Sequence, residues 1–599
     1  MTRRLIAVAL REPDKRPSEA TLRLVRAARD SAEQLVVVYG GGKRPPAPQW
    51  QAIGEIADSV WPVGRIDSFG TTYQVLRQRL GKAALQEFDE VLVLDDTLLG
   101  PIGADATFPR IRGDDQDGST LVEPERGDGL EATDLPYLAL RGSVFGDGRF
   151  WAAVDEIGGD FARFTAGLRE AGFELSAIHP RVAENEHYFL RDSIIRLLGE
   201  GLEFIPWRTF TIDPMLNDRW GIVPRESYDL IAERGYPTEL LWAKLLTAVP
   251  PRTWYTNLAM AEVLPTNVAP ETPVSLTTAV IAHIYYVDMA EELLELAARI
   301  PGRVRLIATA ADEPRRAELE AQIGDDPRFE SVEVRAVTSN LGRDITAFLV
   351  DCEDVLRDPE IDLVVKLHSK RSVQDPPSVS GWFRRHLFES LFASEQYVRN
   401  VYELFAKEPQ LGMVFAPTIH MGLPTLGHAW SLNRGPAEAL APRLGLTTPF
   451  DANTPLSPYG SMFIARRDAL EPLLEANFSI NEFPDAHEYR DGSLAHVLER
   501  LLSYVVFSKG YYAKTVTSPR IASVSEPQLE YKLASLSEYL PAYGFEQVQT
   551  LRGRGQTWPI LYMIRRVLWV RAETKLPGAG RFMSRVFGSL RSLRSKLRR

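Results

Sequence analysis

Short unbroken runs of Val, Ile, Leu and Ala recur along this chain, and between them apolar residues return every three or four positions. The run Leu5–Leu10 predicts a strand buried on both faces. Leu22 and Val25, spaced one helical turn apart ahead of Arg29, predict a helix over Ser18–Glu33, and Leu35–Tyr39 predicts a second strand. A helix through Leu76 and Leu80 and a strand Glu90–Leu94, ending in Asp95-Asp96-Thr97, complete the first pattern. The same alternation returns from Thr278. It predicts strands at Ala279–Ile284, Val304–Thr309, Val332–Val337 and Asp362–His368, with helices at Met289–Arg299, Pro314–Ile323 and Ile345–Leu356 between them. Strands alternating with helices make parallel sheets covered on both faces, so the chain reads as two tandem α/β units of Rossmann-like type. In such sheets ligands sit at the carboxyl ends of the strands. Both units place polar signatures there: Asp95-Asp96 in the first, Lys366 to Lys370 in the second.

Four segments follow from the pattern: an N-terminal α/β domain over 1–200, a connector over 201–273, a second α/β domain over 274–525 and a helical extension over 526–599. The connector is rich in Pro and Trp, among them Trp207, Trp242 and Trp254, and reads as packed rather than flexible. Residues 103–134 read as an acidic, Gly-rich loop.

Composition narrows the classes. At roughly 100–200 residues per domain, 599 residues allow two to four domains. The single cysteine, Cys352, excludes an intramolecular disulfide framework and a thiolate-rich metal cluster; it reads as a small buried apolar residue after a helix. No run approaches the roughly 18 apolar residues of a spanning helix, and the N-terminal run is too short for a signal peptide. Net charge is −11, yet residues 559–599 hold eleven Lys/Arg against the one acid Glu573, a surplus of +10 that leaves −21 on the body. An acidic body argues against nucleic acid, whose binding rests on basic surfaces. In the tail, Phe582, Val586, Leu590, Leu593 and Leu597 alternate with Arg585, Arg591, Arg594 and Lys596, as in a basic amphipathic helix. That pattern predicts a peripheral attachment to an anionic membrane surface on the cytoplasmic side; packing on the acidic body is the other reading.

Chemistry-bearing residues gather in the second half. In a strand, alternate residues share a face, so Lys366, His368 and Lys370 are expected to point together, with Arg371 beside them, as cations able to meet an anionic leaving group. A solvated strand end with a structural histidine accounts for the same residues. Asn340-Leu-Gly-Arg-Asp344 precedes a helix, where Gly342 permits close approach and Arg343 and Asp344 either hold ligand hydroxyls or make a capped turn. Asp485, His487 and Asp491 are candidates for a general base, Asp491 equally for a helix cap at Gly492–Tyr504. His420 sits in a loop that either touches an acceptor or is an ordinary connection, and Gly460 and Ser461 either present backbone to a ligand or start a buried strand. Asp95 and Asp96 are a possible Mg²⁺ or Mn²⁺ site in the first domain or a simple turn.

Asn340-Leu-Gly-Arg-Asp, Lys366-Leu-His-Ser-Lys-Arg-Ser372, Tyr459-Gly-Ser-Met-Phe-Ile-Ala-Arg466 and Asp491-Gly-Ser-Leu-Ala-His-Val-Leu-Glu-Arg500 stand in an order that resembles the rhamnan synthesis F family. The resemblance covers about residues 278–520, and Ser68-Phe-Gly-Thr-Thr-Tyr73 with Val93–Pro101 is similar to the family's upstream region. It implies two tandem glycosyltransferase-A-like domains and transfer of a deoxysugar, L-rhamnose from dTDP-L-rhamnose, to a lipid-linked cell-surface polysaccharide. A catalytically inactive scaffold or glycan-binding subunit is the alternative. The chemistry of the residues themselves suggests a donor site of His283, Asn340, Gly342, Arg343, Asp344, Lys366, His368, Lys370 and Arg371, with the cations in place of a metal in the second domain.

Overall fold

The structure is a computed structural model that describes residues 3–11, 17–41, 47–103, 107–113, 115–123, 135–180, 189–271, 275–369, 377–418, 420, 427–483, 491–538, 540, 544 and 547–548. The strands are β1 (Arg4–Leu10), β2 (Gln34–Gly40), β3 (Ser59–Val63), β4 (Glu90–Asp95), β5 (Leu98–Leu99), β6 (Gly118–Val122), β7 (Tyr137–Arg141), β8 (Leu175–His179), β9 (Ile205–Pro206), β10 (Ala261–Val263), β11 (Thr277–His283), β12 (Arg303–Ala310), β13 (Ser331–Ala336), β14 (Leu363–His368), β15 (Leu411–Phe415), β16 (Phe463–Arg466) and β17 (Tyr512–Thr517). They form a sheet in the order β3-β2-β1-β4-β7-β6-β8, a second in the order β10-β17-β15-β16-β14-β11-β12-β13, and a small β5-β9 pair.

Read from β13 to β17, the second sheet repeats the first strand for strand. In each, the first three strands step outward in parallel, and the fourth returns to pair in parallel with the other side of the first. Next to it lies an antiparallel strand, β7 or β16, then another antiparallel neighbour, β6 or β15, and a final parallel one, β8 or β17. The sheets are therefore mixed, where the sequence pattern predicts purely parallel ones. β6 lies inside the segment read as loop, because five half-polar residues in a Gly-rich stretch carry no periodic signal. The helix expected over Ile345–Leu356 is two short helices, Asp344–Leu349 and Glu353–Arg357, broken where Cys352 is buried.

Alternation along β1 explains the packing. Leu5, Ala7 and Ala9 face one cluster with Phe69, Tyr73 and Phe164, while Ile6, Val8 and Leu10 face another. The second cluster continues through the connector into the second sheet. There Trp242 stacks on Tyr512 with ring centroids 4.1 Å apart, and Trp254 meets Phe507 edge-on at 5.2 Å. β10 of the connector pairs with β17, and Lys514 of that strand, almost fully buried, bridges Glu262 at 2.8 Å and Glu408 at 2.6 Å. Both sheets thus belong to one compact unit, residues 1–417 and 427–517; residues 418–426 and 518–599 form another. Among the described residues no helix is long and apolar enough to cross a membrane. The amphipathic tail lies outside them.

Candidate functional site

Each sheet has a point where the chain, having stepped outward through three strands, reverses to the other side of the first. Open α/β sheets bind ligands in the crevice at that point. In the second sheet it lies between the carboxyl ends of β11 and β14, where His283 and His368 stand opposite each other in register. The strand β14 brings Lys366 and His368 to the same neighbour, the Asp344 carboxylate. The Lys366 Nζ donates to Asp344 Oδ2 at 2.5 Å, and His368 Nδ1 lies 3.7 Å from the same oxygen. Ser461, just before β16, donates to Asp344 Oδ2 at 2.6 Å and accepts from Lys366 Nζ at 3.1 Å. His283 Nδ1 pairs with Thr309 Oγ1 at 3.0 Å.

The side chain of Lys366 is 1% exposed, His368 8% and Asp344 14%, so this is a buried ion pair at a crevice edge. Burial by itself would raise the Asp344 pKa; the Lys366 and His368 charges and the Lys366 and Ser461 hydrogen bonds outweigh it and hold the carboxyl well below its usual range. Burial, helped by Lys366 and opposed by Asp344, pulls the His283 pKa down to about 4, which leaves that ring neutral at pH 7. The Lys366 ammonium is thus spent inside the protein on Asp344 and Ser461. Arg343, one residue before Asp344, is exposed.

Backbone strain marks the same place. Five described non-glycine residues have positive φ, and three of them touch candidate residues or stand next to one: Arg343 (55°), Ser461 (51°) and Ser431 (48°). Gly342 has φ 72°, and a Cβ there would come within 2.7 Å of the Phe483 ring; Gly460, at φ 87°, would put one 2.6 Å from Leu387. These two positions therefore need glycine for space as well as for conformation.

Asp491 lies ahead of the helix Leu494–Ser508, but Ser493 is the residue at the cap, so the capping alternative is not what its carboxylate does. Asp491 Oδ2 accepts from Ser431 Oγ at 2.5 Å and Oδ1 from Asn433 Nδ2 at 3.4 Å. Partial burial would raise its pKa, but those two hydrogen bonds, with His496 and Arg500 nearby, bring it below the ordinary value. Ser431 and Asn433 carried no sequence signal; their spacing from Asp491 is set by the fold. His420 falls in the other compact unit. Lys370, Arg371, Asp485 and His487 lie outside the described residues. Asn340 sits in the turn ahead of Arg343, whose N–H donates to its carbonyl at 3.3 Å.

In the first sheet the switch point lies between β1 and β4. Main-chain bonds align the two sites. Asp96 N–H donates to Ala9 O at 3.0 Å as Ser369 N–H donates to His283 O at 2.9 Å, and Asp89 to Arg3 as Asp362 to Thr277. By that register Ala9 stands for His283, Val93 for Lys366 and Asp95 for His368. Counting back from the paired residues Leu138 and Phe463, Pro136 stands for Ser461. Asp95 is buried and ion-paired to Arg11 at 3.0 Å, with the Thr97 N–H donating at 3.1 Å. Burial raises its pKa despite Arg11. Asp96 accepts the Arg11 N–H at 3.1 Å. A divalent cation at Asp95 would face the Arg11 guanidinium on the same carboxylate, so these residues do not fit the metal that Asp95-Asp96 suggested. Among the described residues no cluster of three or more His, Cys, Asp or Glu side chains is arranged to hold one.

A family model described as rhamnan synthesis protein F matches residues 149–511, more than half of the chain and all of the second switch point. The chain belongs to the rhamnan synthesis protein F family. Asp95 and the other switch-point residues of the first sheet lie upstream of the matched stretch; of that sheet's strands only β8 falls inside it. Two curated relatives, both named uncharacterized protein WxcX, come from Xanthomonas campestris pv. campestris strains B100 and ATCC 33913. Each is 30% identical over 242 residues, 40% of this chain. The family member described here spans about a third of their length, 33%. Among solved structures, the glycosyltransferase GlyE of Streptococcus pneumoniae TIGR4 is 13% identical with a TM-score of 0.23, over 63% of this chain and 88% of its own. A nucleoside-diphosphate-sugar pyrophosphorylase of Vibrio cholerae RC9 is 14% identical with a TM-score of 0.22, over 29% and 92%. TM-scores of this size do not identify a fold.

Proposed function

We infer that this rhamnan synthesis family member is a glycosyltransferase of the glycosyltransferase-A-like kind. It moves a deoxysugar, L-rhamnose from dTDP-L-rhamnose, onto a lipid-linked cell-surface polysaccharide. The observation that carries the reading is the Asp344–Lys366–Ser461 cluster with His283 and His368 at the second sheet's switch point, inside the family-matched stretch. Nucleotide-sugar transfer needs charge stabilisation of the departing diphosphate and a base for the acceptor hydroxyl. In this reading the exposed Arg343, with Lys370 and Arg371 just beyond β14, meets the diphosphate. Lys366 is the internal counter-ion that keeps Asp344 ionised and aimed at the donor's hydroxyls, with Asn340 and Gly342 shaping the turn. Asp491, ionised and held by two hydrogen bonds, is the base, with Asp485 and His487 in the segment before it. Gly460 and the strained Ser461 border the acceptor side, and the basic tail anchors the protein to the inner face of the membrane that carries the acceptor.

Purified full-length protein incubated with dTDP-L-rhamnose is expected to release dTDP faster when a lipid-linked acceptor is added, and Asp491→Ala is expected to lower that rate about 10²-fold or more. No dTDP release with or without acceptor would exclude the reading. A second reading, an inactive scaffold or glycan-binding subunit, is favoured by one fact: the Lys366 charge is already neutralised in place. That reading predicts binding of polysaccharide with no donor consumption.

A further inference from the structure

The helix Leu494–Ser508 carries Glu499 and Arg500 between the two halves of the candidate site, and neither residue touches Asp344 or Asp491 through a hydrogen bond among those described. Glu499 Oε1 accepts the Gly460 N–H at 2.7 Å, and the Glu499 carbonyl accepts from Ser457 Oγ at 2.6 Å. Its other carboxylate oxygen lies 3.2 Å from Arg500 Nη1. The Arg500 guanidinium stacks over the Tyr459 ring at 4.7 Å and donates from Nε to the Ala429 carbonyl at 2.9 Å. One acid–base pair therefore holds two separate loops. The first, Ser457–Ser461, ends in the strained serine that binds Asp344 and Lys366. The second, Ala429–Asn433, contains the strained Ser431 and the buried Asn433 that bind Asp491.

Building on the transferase reading, we propose that Glu499 and Arg500 are positioning residues that lock the Ser457–Ser461 turn and the Ala429–Asn433 loop into one unit, so that the Asp344 cluster and Asp491 keep a fixed separation. The physical reason is geometric. Glu499 and Arg500 are neighbours on one helix and ion-paired at 3.2 Å, and each is also tied to a different loop, so a shift of one loop is passed to the other. Strained residues at φ near 50° persist only where the surroundings over-determine them. The pair lies in the family-matched stretch, yet it is set back from the crevice, with Glu499 16% and Arg500 10% exposed.

The test uses the full-length chain with Glu499→Ala, Glu499→Gln and Arg500→Met, read by dTDP release from dTDP-L-rhamnose and by amide hydrogen exchange. Glu499→Ala is expected to lower kcat about a hundredfold, the scale of an ångström-sized misplacement, with the apparent KM for the donor changed far less. It is also expected to speed exchange together at the Gly460 turn and over residues 429–433. Glu499→Gln, which keeps an oxygen for the Gly460 N–H, is expected to restore most of both. Arg500→Met is expected to loosen 429–433 and to shift the acidic limb of the pH profile upward, since the Arg500 charge acts on Asp491. In Glu499→Ala, faster exchange at only one of the two loops, or an unchanged kcat, overturns the proposal. Absence of dTDP release by the unmutated protein would instead remove the transferase reading, and the exchange measurements would still decide whether the two loops are locked.

Discussion

The two sheets share strand order, strand direction and the main-chain register at their switch points, yet their side chains differ at each of the four matched positions. His283, Lys366 and Ser461 in the second domain answer to Ala9, Val93 and Pro136 in the first, and His368 answers to Asp95. In the second domain a lysine ammonium is buried against a carboxylate that cannot escape by taking a proton at neutral pH. In the first, Asp95 is buried against a partly exposed arginine, and burial raises its pKa against the pull of Arg11. One backbone frame therefore carries a lysine–aspartate pair in one copy and an arginine–aspartate pair in the other.

The sharpest way to break the comparison is Asp344→Asn. It removes the carboxylate that meets the buried Lys366 ammonium at 2.5 Å, and the expected loss is about 3–5 kcal/mol in urea unfolding. A loss below about 1 kcal/mol would mean that the pair is not what stabilises this edge. Next comes pH. His283 has an unperturbed pKa of 6.5 and a folded value of about 4, so the unfolded chain binds the extra proton first. Stability is then full above pH 6.5 and falls by about 3 kcal/mol as pH drops to 4. The Asp344 contribution is lost only below its unfolded value of 3.8, outside that window. In His283→Asn the slope between pH 6.5 and 4 is expected to shrink by one proton, and an unchanged slope would assign the titration elsewhere. Ser461→Ala, which removes hydrogen bonds to both members of the charged pair, is expected to cost about 1.5–3 kcal/mol by thermal unfolding. The smallest effect is expected at the first switch point. Arg11→Met lets Asp95 protonate, at a cost of about 1–2 kcal/mol and with dTDP release unaffected. Loss of that release in Arg11→Met would make the first domain part of the chemistry.

Much of this was legible in the residues. The Val/Ile/Leu runs of β1, β2, β4, β11, β12 and β14 announce buried strands because such strands need apolar side chains on both faces. The shared face of Lys366 and His368 follows from strand periodicity alone, and both do reach one carboxylate. β6, β8 and β17 were not marked, since short strands that mix polar and apolar residues look like loop until a neighbour pairs with them. The connector's tryptophans announced packing, though not that Trp242 and Trp254 would join the cores of both domains.

Taken by itself, the amino-acid order determined the repeat of α/β units, the two switch-point signatures, the single cysteine, and the charge split between body and tail. Local periodicity and charge are properties of neighbouring residues, so they survive without a fold. Tertiary structure alone decided that Lys366 faces inward to Asp344, that Ser461 joins them from 95 residues away, that Glu499 and Arg500 tie two distant loops, and that Asp95 takes an arginine. Those partners are far apart along the chain, and only burial, which makes an unpaired charge costly, selects which of them meet.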